Sequence, residues 1–159
     1  MSQKTIITVV SLLLVFYTPF NALAMKTEVL HVIDGDTLII KTGKKIEHIR
    51  ILGIDTPELY TSKTGVAQCY ARESLAEVRK IVKGNKQLDI EKDSLAKNRD
   101  AYGRHLRHVN HGSMSLSEHL VRNGFAKVYT RSPASNTQKL LTLQQEAQRT
   151  KKGLWKWCK

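Results

Sequence analysis

Residues 28–52 read EVLHVIDGDTLIIKTGKKIEHIRIL, and the punctuation of this stretch decides how the rest is read. Glu28 to Ile33, Thr37 to Lys41 and Ile46 to Leu52 are short runs rich in Val, Ile, Leu and Thr, as in half-buried strands. Asp34-Gly35-Asp36 joins the first two with a glycine where positive φ is cheap, and Thr42-Gly43-Lys44 is a hairpin turn, so a three-strand meander is predicted. Downstream, Ala71, Leu75, Val78 and Val82 recur at i, i+4, i+7 and i+11, which predicts an amphipathic helix ending near Gly84. Gln87 to Lys92 predicts a fourth strand; a polar loop from Asp93 to Asp100 and a Tyr102-Gly103 turn then lead to a fifth, Arg104 to Val109. Ser115 with Glu118 predicts a capping box for a second helix that Gly124 stops. A last helix is expected over about Asn136 to Lys152, with Leu140, Leu143 and Ala147 inward and Gly153 as its end. Trp155 and Trp157 read as core and rim packing. Five strands with a helix after the third predict an α+β fold, a five-stranded Greek-key β-barrel (OB-fold) with about three helices.

At 159 residues and 41% hydrophobic, the chain suffices for one domain with one core. The excess of 26 Lys and Arg over 14 Asp and Glu, a formal +12, favours polyanions, and charge alone does not choose between nucleic acid and an anionic membrane surface. Lys4, the apolar run Thr5 to Phe16, Pro19 and the small-x-small site Ala22-Leu23-Ala24 predict a signal peptide over residues 1–24, with the domain occupying 25–159 from Met25. The apolar run is shorter than the roughly 20 residues that span a bilayer, so no membrane partner is expected in the mature form. Export is the expectation, periplasmic or secreted. Cys69 and Cys158 would then meet an oxidising compartment, where one disulfide is the natural pairing. It would close a loop worth about 4–5 kcal/mol in the chain-entropy view. Two independent thiols are the alternative, because sequence does not set their Cα distance.

Three ordered motifs, Val32-Ile33-Asp34-Gly35-Asp36-Thr37, Arg50-Ile51-Leu52-Gly53-Ile54-Asp55-Thr56-Pro57-Glu58 and Asp100-Ala101-Tyr102-Gly103-Arg104, closely resemble the staphylococcal nuclease family. Glu118 to Val128 resembles that family's second helix and the segment after it, and Gly153-Leu154-Trp155 its usual ending, so the resemblance covers essentially all of residues 25–159. It implies a calcium-dependent endonuclease acting on DNA and RNA, leaving 3′-phosphate ends, and the expected form is a monomer.

The residue types suit that chemistry. Phosphodiester hydrolysis piles negative charge on a group already negative, so the site must supply positive charge where it develops. Arg50 and Arg104 can each donate bidentate hydrogen bonds to phosphate oxygens, and by resemblance both clamp the scissile phosphate. Asp36 and Asp55 are hard oxygen ligands suited to Ca²⁺, and the family adds the backbone carbonyl at Thr56. Glu58, set past the Pro57 turn, is the expected general base or water-orienting group. Tyr102 and Tyr129 are candidate stacking surfaces for bases. The sequence departs from the family pattern at Ala101, where a lysine is often found, and beyond the second helix, where a pair of tyrosines is reduced to Tyr129 among Thr130, Arg131 and Ser132.

His105, His108 and His111 recur every third residue, but on a strand the first two point to opposite faces and do not easily share one zinc ion. Exposed histidines near a polyanion site are expected instead. The competing function is a non-catalytic OB-fold nucleic-acid-binding module, which the five filled positions Asp36, Arg50, Asp55, Glu58 and Arg104 weigh against.

Overall fold

The computed structural model describes residues 27–60, 65–84 and 87–159; residues 1–24, read as a signal peptide, lie outside them. The meander forms as β1 (Thr27–Val32), β2 (Thr37–Thr42) and β3 (Lys45–Ile51), antiparallel, with Leu38 facing Ile49 and Thr37 facing Arg50 across the last pair. Alternation then sorts the side chains: Leu38, Ile40, Ile49 and Ile51 enter the core, while Arg50 lies on the other face of β3. β4 (Ile54–Asp55) follows at once.

α1 (Ala71–Val82) buries Ala71, Leu75, Val78 and Val82, the stripe its spacing predicts, each large aliphatic chain contributing about 1.5–3 kcal/mol by leaving water. β5 (Asp89–Glu91) is shorter than the predicted fourth strand, and β6 (His105–His111) runs slightly later than the predicted fifth before a two-residue β7 (Met114–Ser115). The sheet order is β1-β2-β3-β6-β5, with β6 parallel to β3 and antiparallel to β5. That order is the one a five-strand Greek key needs, yet no ladder joins β5 to β1 among the described residues, so the pairing is an open path.

α2 (Leu116–Arg122), β8 (Lys127–Val128), α3 (Thr137–Arg149) and α4 (Leu154–Trp157) complete an α+β fold in which β8 pairs with β4. The expected capping box is not made. Ser115 Oγ turns to Ser117 Oγ and Glu118 reaches Lys139 Nζ at 2.6 Å, tying α2 to α3. α2 does stop at Gly124, whose N–H meets Val121 O at 3.1 Å while Phe125 N–H reaches Leu120 O at 2.8 Å, a Schellman closure. α3 closes in the same way with Lys151, not Gly153, in the left-handed position at φ 51°. Gly153 serves a different need: a Cβ there would stand 2.2 Å from Gly124 O, so the two glycines let the C-terminal segment lie backbone to backbone against α2. Cys69, just before α1, is joined by a disulfide to Cys158, their Cα atoms 5.7 Å apart.

Candidate active site

The turn between β1 and β2 aims Asp36 inward. Asp34 Oδ1 accepts the Asp36 N–H at 3.0 Å, an Asx-type bond that shapes the turn. Gly35 is not in a positive-φ conformation, contrary to the expectation. A Cβ there would meet Thr56 at 2.8–3.0 Å, so glycine is required for the close approach of the Asp55-Thr56 segment.

That approach assembles the first cluster. Asp36 Oδ2 accepts from Thr56 N–H at 2.8 Å and pairs with Arg50 Nη2 at 3.0 Å, and Asp55 Oδ1 takes the same nitrogen at 3.1 Å. Arg50 Nη1 donates to Ile51 O and Ile54 O at 3.0 and 2.7 Å. The guanidinium is thus fixed by two carboxylates and two carbonyls. Asp36 Oδ1 accepts from Thr37 Oγ at 3.1 Å, and the same hydroxyl accepts from Arg104 Nη1 at 3.1 Å, so one threonine couples the two arginines. Asp100 fixes Arg104 from the other side, its Oδ2 accepting Nε at 2.6 Å and its Oδ1 the Arg104 and Tyr102 N–H groups at 2.9 Å each. Tyr102, 86% exposed, leaves its ring 5.4 Å from the Arg104 guanidinium carbon.

Electrostatics separates these groups. Burial pushes the Asp36 carboxyl up to about 7; Arg50 draws it down and Asp34 raises it further. Glu58 is also raised, first by burial and then by Asp34 and Asp55, with Arg50 and Arg104 opposing. Its N–H is held by Gln68 Oε1 at 2.8 Å. For Asp100, burial would raise the carboxyl, but its hydrogen bonds with Arg104 outweigh that and lower it.

Arg50, Asp55, Glu58, Tyr102, Arg104 and Tyr129 all line one open cleft of about 730 Å³. Asp36 and Thr56 do not line it; they stand behind Arg50 and Asp55. Sequence reasoning missed Thr37 and Asp100 as positioning groups, although Asp100 lies inside a quoted motif four residues before Arg104. It also missed Lys97 and Arg99, which line the same cleft with Arg131.

The histidines depart from expectation. His105 is buried with Nδ1 2.7 Å from Glu47, and burial followed by Arg107 and Arg99 lowers its pKa. His108 is largely covered and meets Asp93 Oδ2 at 2.7 Å. Each sits with a different carboxylate, so they form no exposed cluster.

The family model described as Staphylococcal nuclease homologue matches residues 48–157. The chain is similar to the Thermonuclease of Staphylococcus hyicus, 33% identical over 136 residues that cover 85% of this chain and 78% of the relative. The Thermonuclease of Staphylococcus intermedius is 33% identical over 125 residues, covering 78% and 72%. An "Uncharacterized endonuclease" of Escherichia coli is 33% identical over 145 residues, covering 90% and 85%.

Proposed function

The chain belongs to the staphylococcal nuclease homologue family, and from that premise we propose that it is an exported, calcium-dependent endonuclease hydrolysing DNA and RNA with little sequence preference. One observation carries the reading: two carboxylates, Asp36 and Asp55, converge on a single nitrogen of Arg50 at 3.0 and 3.1 Å, beside a cleft that Glu58 and Arg104 share.

The donor set suits a hard divalent cation. Asp36 is buried and remains under-compensated even with Arg50 beside it, as its raised pKa records. Asp36, Asp55 and the Thr56 carbonyl would hold the ion. When bound, Ca²⁺ supplies Lewis-acid polarisation of the phosphate and a more acidic water. The remaining work falls to the chain. Arg50 Nε and Arg104 Nη2, which have no partner among the described residues, donate to the non-bridging phosphate oxygens. Glu58 accepts the proton of the attacking water or orients it. The bond to the 5′ oxygen breaks, one of the arginines assisting that oxygen, and a 3′-phosphate end remains. Tyr102 and Tyr129 offer stacking faces, which read no base edge and so tolerate sequence.

The strand order supports reading the sheet as an OB-type barrel, and the apolar run at Thr5 to Phe16 supports export after cleavage before Met25. No described helix is long and apolar enough to cross a membrane. Incubating purified protein with plasmid DNA, with and without Ca²⁺, tests the activity. Strand breaks that need Ca²⁺ are expected; intact but retarded bands would mean a binding module, and no effect would reject both.

A further inference from the structure

Glu58 is held differently from the two arginines of the cleft. Arg50 and Arg104 are fixed through their side chains by carboxylates. The Glu58 carboxylate makes no hydrogen bond or ion pair among the described residues, and it is the backbone of Glu58 that is held. Its N–H donates to Gln68 Oε1 at 2.8 Å, and its carbonyl accepts the Gln68 N–H at 2.8 Å. One residue ten positions on thus takes both polar backbone groups of Glu58. Leu59, the next residue, packs against the core. With both peptide groups tied, the direction in which the Glu58 side chain leaves the backbone depends on where Gln68 stands.

Gln68 is exposed, and an exposed residue is a poor anchor unless its own backbone is fixed. Its carbonyl accepts the Ala71 N–H at 3.1 Å, in the turn that opens α1. The next residue, Cys69, is bonded to Cys158, 89 positions away. Cys158 N–H reaches Leu154 O at 2.9 Å, and buried Leu154 donates its own N–H to Gly124 O at 2.8 Å, so the cross-link ends on a segment seated against α2. Tyr70 follows in the left-handed region at φ 71°, a conformation that a tyrosine keeps only where its surroundings hold it. Its carbonyl accepts the Ser74 N–H at 3.1 Å, and its ring lies 5.7 Å from that of Phe125. Asp55, Thr56, Gln68, Cys69 and Cys158 all line one cavity of about 310 Å³, which sets the disulfide beside the segment that leads to Glu58.

We propose that Gln68 is a positioning residue for Glu58 and that the Cys69–Cys158 disulfide keeps it in place, so that the carboxylate handling the attacking water is aimed from the C-terminal end of the chain. This rests on the nuclease reading, which gives Glu58 its role. The physical reason is the steep dependence of the water's activation on geometry: the carboxylate must stand within hydrogen-bond reach of it, and a misplacement of about 1 Å costs on the order of a hundredfold. Gln68 does not line the cleft, so its loss leaves the substrate contacts intact and acts on turnover through Glu58.

The experiment measures kcat and KM for Ca²⁺-dependent cleavage of a fluorogenic single-stranded DNA oligonucleotide, at temperatures where circular dichroism shows each protein folded. Proteins compared are the parent, Gln68→Met, Cys69→Ser/Cys158→Ser, Glu58→Ala, and Glu58→Ala combined with each of the other two changes. Methionine keeps the length of glutamine and removes the acceptor for the Glu58 N–H. Gln68→Met should lower kcat about tenfold and leave KM within about twofold, and the serine pair should lower kcat at least about threefold. In the Glu58→Ala background neither change should alter kcat by more than about twofold, because no carboxylate is left to aim. Gln68→Met keeps the disulfide, so it tests the clamp even where the serine pair does not fold. A parental kcat in Gln68→Met, a loss confined to KM, or the same loss with and without Glu58 would each overturn the positioning role, while cleavage by the parent leaves the nuclease reading standing. A parental kcat in the folded serine pair overturns the disulfide's part alone. A parent that does not cut with Ca²⁺ rejects the nuclease reading, and the positioning role falls with it.

Discussion

Asp36 and Asp93 are both aspartates with almost no exposed side-chain surface, 3% and 0%, and they have opposite electrostatic fates. Burial raises both. At Asp93 two hydrogen bonds from Ser135, one from the Leu95 N–H and one from His108 outweigh burial and hold the carboxyl well below the usual range. Asp36 has Thr56 N–H, a hydroxyl and Arg50, but it also faces Asp34, and burial wins, so it stands at about 7. A buried carboxylate whose neighbours satisfy it is a structural tie. One whose neighbours leave it short of positive charge suits a cation, the role proposed for Asp36. Burial alone therefore does not separate the two aspartates; the balance of their neighbours does.

The sharpest way to break this comparison is to remove each charge and read activity and stability separately. Asp36→Asn should lower cleavage by at least about a thousandfold, because both the proposed metal ligand and the anchor of Arg50 are lost. In chelator the same variant should be no less stable than the parent, since a poorly compensated buried charge goes with it. A large fall in thermal stability in chelator would mean that Asp36 is a tie like Asp93. Arg104→Ala should cost at least about a hundredfold in rate while the fold persists, by circular dichroism, because its charge matters most as the phosphate accumulates negative charge.

The shortfall also predicts linkage. A cation that binds only the folded protein should stabilise it by about 2.7 kcal/mol at a hundred times its dissociation constant. Ca²⁺ should therefore raise the melting temperature of the parent by several degrees and leave Asp36→Asn unmoved. An equal rise in both would place the ion elsewhere.

How much of this was legible in the sequence follows from the range of each cause. The meander and the α1 stripe depend on alternation and turn residues within a few positions, and both formed. The motifs gave Arg50, Asp55, Glu58, Tyr102, Arg104 and Tyr129, which line one cleft. What failed depended on distant contacts. Gly35 was read as a φ requirement, but its need is space for Thr56. Glu118 left its expected cap for Lys139, a partner on another helix. The Asp93 tie joins residues 15 and 42 positions away, and no local pattern announces it. Lys97 lies in a loop read only as polar and Arg131 in a segment read only as a departure from the family pattern, and only the fold brings both to one cleft.

The last prediction concerns Asp93 itself. Its folded pKa is lowered, so ionisation stabilises the fold above the unfolded value near 4, and that contribution is lost as pH falls through the folded value. The parent should therefore lose stability progressively from about pH 4 downward. Asp93→Asn, with no charge to protonate and poorer acceptance of the Ser135 and His108 donors, should be less stable at pH 7 by about 2–4 kcal/mol. The gap should narrow as both are taken below pH 4. Because Asp93 touches neither the cleft carboxylates nor Arg50, turnover of a saturated substrate should change only a fewfold at temperatures where the variant is folded, unlike the collapse expected for Asp36→Asn. Urea unfolding at a series of pH values measures the first part and saturated cleavage rates the second. A stability gap that stays constant down to about pH 2 would show that Asp93 ties the loop through packing and not through its charge.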